Sequence, residues 1–528
     1  MTPAMDGPRL TNRLGTIGTP TIVLAPELPA ATGRSWLNSR TLVVALVLLG
    51  IGLRLVPMIQ NRNLWIDEAM IALNLVERSP ARLLEPLDWN QGAPAGFLLA
   101  TKATITLIGE SEWGLRLFPF AASVFGLIGF AWLARRMLPA AAGTLALTLM
   151  AVNPVLVSYS AECKQYALDA AIAIGLFGVA FGLLHGASGG WRYAVLAVSG
   201  AVAVWFSHPA AFVLGGIGTA LFVDAAFTRD RRRTVASVAT IGCWLASFVA
   251  CYLLTLRHLG NSQYLLDYWA GHFLPLPPTS PGDLAWIVDH YFGFFAYPGG
   301  FAGGEFKVGA VAALLGLVGI GAFWRDRWQV AVAMVVPVLL VLVASGLHKY
   351  PFAGRLLLFL VPLAVLAVAR GASEIVSALS PSHPFAATGL LGVLLVAPLF
   401  ETAQEFLRPS RHEQITEVLA EVRSRVQPGD RVYLYYNAAP AFTFYTRTEP
   451  FPVAVTVGTE NRQRRTGYRD ELRKFAGEPR VWVVFSHRHG TEESQIRAYA
   501  ESLGECREEI RRPGSSAYRY DFRAAEDR

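Results

Sequence analysis

Two adjacent carboxylates, Asp67 and Glu68, follow the first long apolar run of the chain in the stretch NLWIDEAMIAL, residues 63–73. A carboxylate can accept a proton from a hydroxyl or amine nucleophile, which makes either acid a candidate general base. A structural interpretation stays open, because Asp67 at the start of a helix over 68–78 would cap its N-terminus. Adjacent helical residues point about 100° apart, so the two acids do not face one substrate in the same way.

A second group of reactive side chains lies in YSAECKQYALD, residues 159–169. Glu162 and Lys164 stand just before an apolar run, with Tyr166 and Asp169 beyond them. The alternative to a chemical role for Glu162 and Lys164 is a surface ion pair. Asp169 lies within the apolar run itself, and an acid at that depth favours a polar cavity.

Two cations, Lys349 and Arg355, bracket the turn YPFAG at residues 350–354. Ammonium and guanidinium groups on either side of such a turn suit an anionic phosphate. Simple anchoring of the chain at the membrane surface is the alternative. Both residues are therefore candidate phosphate ligands.

Arg54 and His208 each interrupt apolar sequence. A charge at membrane depth usually marks a partner or a pathway, and Arg54 is expected to pair with Asp67 or Glu68. Snorkelling of the Arg54 side chain to the membrane surface is compatible with such a pair. A single histidine such as His208 is more often structural than a ligand, so it is assigned a supporting role.

The composition shows which elements must carry these residues. Hydrophobic residues make up 53% of the chain and charged residues only 16%, against about 25% in ordinary soluble domains. The mean hydropathy is +0.38. Together these values indicate a polytopic membrane protein, in which the net charge of +7 reflects arginines on one membrane side and predicts no nucleic-acid partner. The four cysteines show no metal-binding spacing.

Apolar windows predict about eleven transmembrane helices. They cover residues 40–58, 114–134, 138–157, 166–185, 191–207, 209–227, 235–256, 307–324, 328–346, 355–370 and 385–400. Arginines of the short loops collect on one side, which is cytoplasmic by the positive-inside rule. The candidate site residues all fall at the opposite, outer face of the plasma (inner) membrane.

The chain divides into three predicted parts. Residues 1–37 form a disordered cytoplasmic tail, 38–400 the transmembrane domain with outer loops 59–113 and 258–306, and 401–528 a small extracytoplasmic α/β domain. Loop 258–306 is rich in aromatic residues, which suits headgroup depth. In the last part, strands are expected near 430–437, 450–457 and 480–487, with helices between them, one of them over 462–476, and residues 515–522 close the domain. This alternation favours a mainly parallel sheet.

Outward-facing acids, outward-facing cations and an aromatic rim suit one kind of chemistry. Acids activate a nucleophile, cations stabilise a phosphate leaving group, and an aromatic surface receives a lipid. The combination fits group transfer from a lipid-linked phosphate donor to an acceptor outside the cytoplasm.

Three motifs in order resemble a known family. LWIDEA after the first span, YSAECKQYAL and HKYPFAGRLLLFLVP look like the outer-loop motifs of the GT-C glycosyltransferases, specifically family 39 and the protein O-mannosyltransferase-like bacterial proteins with their aminoarabinose and core galacturonosyl transferase relatives. The resemblance covers roughly residues 40–370. Residues 91–96 replace a His-Pro-Pro-Leu-like element of that family, and Lys164 stands where an arginine is more usual.

The resemblance implies a polyprenyl-phosphate sugar donor, a glycan, lipid or protein acceptor outside the cytoplasm, and inversion at the sugar. Asp67 would act as base, with Glu68 and Glu162 holding the acceptor or the cations. Lys164, Lys349 and Arg355 would bind donor phosphate, with Arg54, Tyr166 and His208 in support. No cofactor is required on this view, although some relatives bind a divalent metal near the acids.

Two other functions compete with a transferase. A lipid or lipid-linked-sugar flippase would also have many spans and buried charges, but its key charges are expected near the membrane midplane and in two related halves. A non-catalytic envelope assembly protein would leave the loop acids unexplained. The order of the three motifs favours the transferase.

Overall fold

The structure is a computed structural model that describes residues 40–257, 262–302, 308–407, 413–461 and 467–525. The predicted tail, residues 1–37, lies outside these ranges. Long apolar helices form the first part of the molecule and a small mixed sheet with its own helices forms the second.

The helices of the first part run in the following order. They are α1 Arg40–Gln60, α2 Ile66–Glu77, α3 Ala95–Ile108, α4 Glu112–Met137, α5 Ala140–Val152, α6 Pro154–Tyr159, α7 Tyr166–Leu184, α8 Gly190–Phe206, α9 Ala210–Phe227, α10 Arg231–Cys251, α11 Gln263–Tyr268, α12 Pro281–Ala296, α13 Val308–Gly346, α14 Val361–Leu379 and α15 Pro384–Leu407. A 3-10 turn over Gly354–Leu360 leads directly into α14.

Within the described ranges, eight helices are long and apolar enough to cross a membrane. One of them, α13, has 39 residues and covers two predicted spans, 307–324 and 328–346; its backbone leaves helical geometry at Arg327. The predicted spans 138–157 and 191–207 correspond to α5 and α8, which have 13 and 17 residues. A crossing helix needs about 20 residues, so the predicted total of eleven spans stays a prediction.

Charged residues of the predicted cytoplasmic loops meet at one end of the bundle. Arg325 and Arg370 pair with Glu374, with Nη2–carboxylate distances of 3.0 and 2.9 Å. Asp224 near the end of α9 accepts from Gln329 at 2.7 Å and pairs with Arg233. These contacts lie at the other end of the helices from Asp67.

The second part contains four helices and five strands in the described residues. They are α16 Ile415–Arg425, β1 Arg431–Leu434, α17 Ala439–Thr446, β2 Ala454–Val457, α18 Gly467–Arg473, β3 Val481–Phe485, α19 Glu492–Leu503, β4 Glu505–Arg512 and β5 Ser515–Asp521. The three predicted strands are confirmed as β1, β2 and β3, and the closing segment 515–522 contains β5. The helix expected over 462–476 is present from Gly467, and residues 462–466 lie outside the described ranges.

The sheet has the strand order β2-β1-β3-β5-β4, which corrects the expectation of a mainly parallel sheet. Strands β2, β1 and β3 pair in parallel, whereas β5 pairs antiparallel with both β3 and β4. Strand β4 is not recognisable from the sequence, because ECREEIRR carries six charges in eight residues. Such a strand is typical of a sheet edge, where charges discourage pairing with other chains.

The two parts share a continuous apolar core. Leu64, Ile71 and Leu75 from the α2 region belong to the same buried cluster as Phe442 and Phe444 of α17. The sheet domain is therefore packed against the helix that carries the two opening acids.

Candidate active site

Asp67 forms an ion pair with Arg355. Asp67 lies in the first turn of α2, and its Oδ2 is 2.6 Å from Nη2 of Arg355, which comes from the 3-10 turn before α14. Each side chain is 21% exposed, so the pair is reachable from outside. The structure thus joins the first and third motifs of the sequence at one point.

The turn between α6 and α7 adds Glu162 and Lys164 to this point. Lys164 is 5% exposed, and its ammonium group donates to Oε1 of Gln91 at 2.7 Å. Burial lowers the pKa of Lys164, and the negative charge of Asp67 opposes that shift. Glu162 is also buried and acts electrostatically on both Lys164 and Arg62.

Tyrosine side chains pack next to Arg355 and against one another. The guanidinium carbon of Arg355 lies 5.7 Å from the ring centre of Tyr166, a cation–π distance. The ring of Tyr159 packs edge-on against Tyr166 at 5.3 Å, and the Tyr159 hydroxyl lies 2.9 Å from that of Tyr297. These rings limit the directions in which Arg355 can point.

Glu68 has a different environment from Asp67, because it is buried and fully engaged. Nε and Nη2 of Arg116 donate to its two oxygens at 2.9 Å each, and the backbone N–H of Cys163 donates to Oε1 at 2.8 Å. Burial by itself would raise the pKa of Glu68, but the charge and hydrogen bonds of Arg116 outweigh it and lower the pKa.

The same interactions settle which acid caps α2. The helix starts at Ile66, and the backbone N–H of Trp65 donates to Oε2 of Glu68 at 3.1 Å. The capping interpretation therefore applies to Glu68, which is the third residue of the helix. Asp67 is the second residue, and the side chain that bonds back to Trp65 is that of Glu68.

Arg116 is a residue that the sequence analysis missed. It is 1% exposed in α4 and also donates to the backbone oxygens of Arg62 and Asn63, at 2.8 and 3.4 Å. Arg116 thereby fixes the segment of the chain that leads to Asp67. The signal was available, since a charged residue inside an apolar span usually has a buried partner.

The sheet domain holds the same segment from the other side. The backbone N–H of Leu64 donates to the Tyr445 hydroxyl at 2.8 Å, and Oδ1 of Asn63 accepts from the backbone N–H of Thr416 at 3.1 Å. The His487 ring packs edge-on against Trp65 at 5.2 Å. Burial lowers the pKa of His487 to about 4.

Three predicted site residues lie apart from this group. Arg54 does not pair with Asp67 or Glu68, and that expectation is wrong. Its guanidinium donates instead to Ser123 Oγ and to the backbone oxygens of Gly50, Met150 and Ala151, at 2.9–3.1 Å. These carbonyls satisfy the charge within the membrane helices.

Lys349 and His208 are also outside the group. Lys349 is exposed after α13, and the structure gives its ammonium no hydrogen bond or ion pair with any described residue. His208 lies between α8 and α9, and its Nε2 is buried without a hydrogen-bond partner among the described residues.

A cavity of about 110 Å³ opens beside the Gln91–Lys164 contact. Its wall is largely apolar and comes from residues 83–98 of the first outer loop together with Thr255, Ser262 and Leu265. Gln91 belongs to this lining and accepts the hydrogen bond from Lys164, so the cavity lies next to that contact.

The acids of the site do not form a metal-ligand set. No group of three or more His, Cys, Asp and Glu side chains among the described residues is arranged to hold an ion. Asp67 is paired with Arg355, and the Lys164 ammonium acts on both Asp67 and Glu162. These cations compete for the carboxylate oxygens that a divalent ion would need.

Neither a protein-family model nor a curated protein matches the chain. Solved structures do match. Apo ArnT from Cupriavidus metallidurans is 14% identical, with a TM-score of 0.51 over 92% of this chain and 98% of that one. The same enzyme bound to undecaprenyl phosphate is 13% identical, with a TM-score of 0.52 over 90% and 97%.

The archaeal oligosaccharyltransferase AglB from Archaeoglobus fulgidus, in complex with an inhibitory peptide and a dolichol-phosphate, is 12% identical. Its TM-score is 0.51 over 92% of this chain and 74% of that one. At such low identity the likeness concerns the fold. The chain is an integral membrane protein with the GT-C glycosyltransferase fold that these structures share.

Proposed function

We propose that this protein is a glycosyltransferase that moves a sugar from a polyprenyl-phosphate-linked donor to an acceptor outside the cytoplasm. The observation that carries the proposal is the reachable Asp67–Arg355 ion pair with the Lys164 ammonium beside it. A base and two phosphate-binding cations are what such a transfer requires.

In the proposed reaction, a hydroxyl or amine of the acceptor attacks the anomeric carbon of the sugar. The bond between that carbon and the phosphate oxygen breaks, and its electron pair stays on the phosphate. Asp67 takes the proton of the nucleophile. Arg355 and Lys164 stabilise the polyprenyl phosphate that leaves, because charge-assisted hydrogen bonds to phosphate are strong.

The ion pair also suggests how donor binding prepares the base. A guanidinium has five N–H donors, and the buried Nε of Arg355 has no hydrogen-bond partner within the described ranges. Donor phosphate can therefore engage Arg355 and weaken its hold on Asp67. Glu162 and Tyr166 position Lys164 and Arg355, while the exposed Lys349 is proposed as an outer phosphate contact.

The solved structures support this choice of donor. ArnT is bound to undecaprenyl phosphate, and AglB is bound to a dolichol-phosphate together with a peptide. The apolar cavity beside Gln91 and Lys164 is a suitable place for the first lipid units. Another structure of the A. fulgidus enzyme is a complex with Zn and sulfate. In this chain Asp67 is paired with Arg355 and Lys164 acts on Glu162, so the proposed reaction assigns no step to a metal.

The proposed orientation places the N-terminus and the arginine-rich loops in the cytoplasm and residues 401–528 outside. The arginines at the far end of the helices support this by the positive-inside rule. The sheet domain touches the Asp67 segment, so domain and site lie on the same side of the helices, which is the outer side in the proposed orientation. Its proposed role is to hold that segment and to bind the acceptor.

Membranes containing the protein provide the test. They are incubated with undecaprenyl-phosphate-linked hexoses and pentoses, and released undecaprenyl phosphate is measured. Release by the wild type, and its loss in Asp67→Asn, is expected. Glu77→Gln is the matched control, because Glu77 is an exposed acid at the other end of α2. Movement of intact donor across the membrane without release would favour a flippase instead.

A further inference from the structure

Three arginines meet at the end of the helix bundle that lies away from Asp67. Arg136 is in the last turn of α4, Arg192 is in the first turn of α8, and Arg327 is the residue at which α13 leaves helical geometry. Arg136 and Arg327 are exposed, and Arg192 is half-buried. These three residues, called the arginine group below, form no ion pair with any residue of the described ranges.

The turn that follows α7 connects the arginine group. The guanidinium carbon of Arg136 lies 5.6 Å from the ring centre of Trp132, a cation–π distance, and Trp132 packs edge-on against Phe181 at 5.7 Å. The ring of Phe181 in turn lies 4.1 Å from the ring of His185, which directly follows α7. Arg136 is therefore joined to this turn through packed rings.

Arg327 and Arg192 also reach this turn. Nη1 of Arg327 lies 3.5 Å from the backbone oxygen of His185, and Nη1 of Arg192 donates to the backbone oxygen of Ser188 at 2.8 Å. A guanidinium has five N–H donors, and these contacts use one donor of each arginine. Within the part of the chain that the structure describes, the other donors have no side-chain acceptor.

Neighbouring arginines at this end of the bundle are neutralised by acids. Arg325 pairs with Glu374 at 3.0 Å, and Arg370 pairs at 2.6 Å with Asp326, the residue before Arg327. The turns that follow α4 and α7 contain no acidic residue. The arginine group therefore keeps its positive charge, and a negatively charged partner fits it.

Exposed tryptophans show which kind of anion fits. Trp132 is 44% exposed, and Trp191, whose ring centre lies 5.1 Å from the guanidinium carbon of Arg192, is 66% exposed. Further along α4, Phe125 and Ile128 are exposed as well. Tryptophan rings at a helix end are typical of headgroup depth, and apolar side chains beyond them contact acyl chains. A lipid phosphate can use all of these features, whereas a free phosphate ion would use the arginines alone.

We propose that the arginine group binds the phosphate headgroup of an anionic phospholipid in the leaflet on its side of the membrane, which is the cytoplasmic leaflet in the proposed orientation. Several guanidiniums around one phosphate suit the charge-assisted, bidentate hydrogen bonds that arginine forms. The bound lipid holds the ends of α4, α8 and α13 together. This site lies at the other end of the helices from the Asp67–Arg355 pair and does not depend on sugar transfer.

Native mass spectrometry of the full-length protein in detergent tests the site, with phosphatidylglycerol and phosphatidylcholine as the two lipids. The wild type should bind phosphatidylglycerol more tightly than phosphatidylcholine. Arg136→Gln, Arg192→Gln and Arg327→Gln should each weaken phosphatidylglycerol binding by roughly fivefold, the typical contribution of one arginine at a membrane surface. Arg325→Gln is the matched control, because it removes an equal charge that Glu374 already neutralises, and it should leave the affinity unchanged.

Thermal unfolding without added lipid shows whether each variant is folded, and three single variants keep the test independent of any one of them. Unchanged phosphatidylglycerol affinity in all three folded variants would overturn the site. Equal weakening by Arg325→Gln would also overturn it, because the effect would then be one of total charge. Displacement of the lipid by millimolar inorganic phosphate would replace the phospholipid with a free ion and contradict the proposal. Sugar transfer is measured separately, so failure here leaves the proposed transferase in place.

Discussion

Asp67 and Glu68 are neighbours in sequence but have opposite surroundings. Glu68 is buried and accepts four hydrogen bonds, from Arg116, Cys163 and Trp65. Asp67 is partly exposed and faces Arg355. An acid whose lone pairs already accept hydrogen bonds is poorly placed to accept a proton, so we propose Asp67 as the base and Glu68 as a residue that positions the chain around it.

Asp67→Asn should therefore nearly abolish transfer. Losing a general base typically costs about two to four orders of magnitude in rate, whereas the amide keeps the size of the side chain. Turnover and thermal stability are measured on the same preparation. Near-normal turnover in this variant would contradict the assignment of the base.

Arg355→Ala should raise the KM for the donor by roughly ten- to a hundredfold, because charge-assisted hydrogen bonds to its phosphate are lost. Arg355→Lys should restore only part of this, because an ammonium lacks the planar fork of donors. Lys349→Ala is the comparison, and its exposed position predicts a smaller effect. Equal effects of Arg355→Ala and Lys349→Ala would contradict this ranking.

At the scale of elements, the Glu68–Arg116 pair joins α2, α4 and the turn before α7. Removing one partner leaves an uncompensated buried charge, which typically costs about 3–5 kcal/mol. Glu68→Gln and Arg116→Met should each lower the thermal midpoint strongly, and the double variant should lose less than the sum of the two. Additive losses in this double-mutant cycle would show that the pair is not a unit.

A second element-scale prediction concerns the contact of His487 with Trp65. Burial lowers the pKa of His487 from 6.5 to about 4, so between these values the unfolded chain binds more protons than the folded one. The stabilising contribution of neutral His487 is present above a pH of about 6.5 and is lost as the pH falls toward 4. It amounts to at most about 3 kcal/mol.

Wild type and His487→Gln are compared by thermal unfolding between pH 7.5 and 4.5. The wild type should lose more stability on acidification than the variant. The nearby Glu413 acts in the opposite sense, because burial raises its pKa and its contribution is lost as the pH rises. The difference between the two proteins removes the Glu413 effect. Parallel curves would contradict the role of His487.

The sequence predicted which candidate residues lie close together better than it predicted the contacts that hold them. Asp67, Glu162, Lys164 and Arg355 lie in polar loops whose side could be inferred from the arginines, and the structure brings them together. The role of Arg116 was missed because a single charge in an apolar span does not show which residue it pairs with. The antiparallel pairing of β5 was missed because strand order depends on contacts far apart in sequence.

At the scale of the whole molecule, the orientation can be tested directly. Cysteine introduced at exposed His489 in the sheet domain should react with a membrane-impermeant thiol reagent on intact cells. Cysteine at Arg232, which is exposed in the first turn of α10, should react only after permeabilisation. The unmodified protein is the control for its four native cysteines. The reverse pattern would overturn the orientation and the location of the site.

The contacts around Asn63 and Leu64 also have a consequence for biogenesis. This segment is synthesised early, yet its partners Thr416 and Tyr445 come 353 and 381 residues later. Contacts between such distant residues form late in folding. While the chain is still bound to the ribosome, its first helices are already inserted. The segment that leads to Asp67 does not yet have the contacts with Thr416 and Tyr445 that fix its position. On the proposed function and orientation, the nascent protein should stay inactive until its last domain has been made and has crossed the membrane.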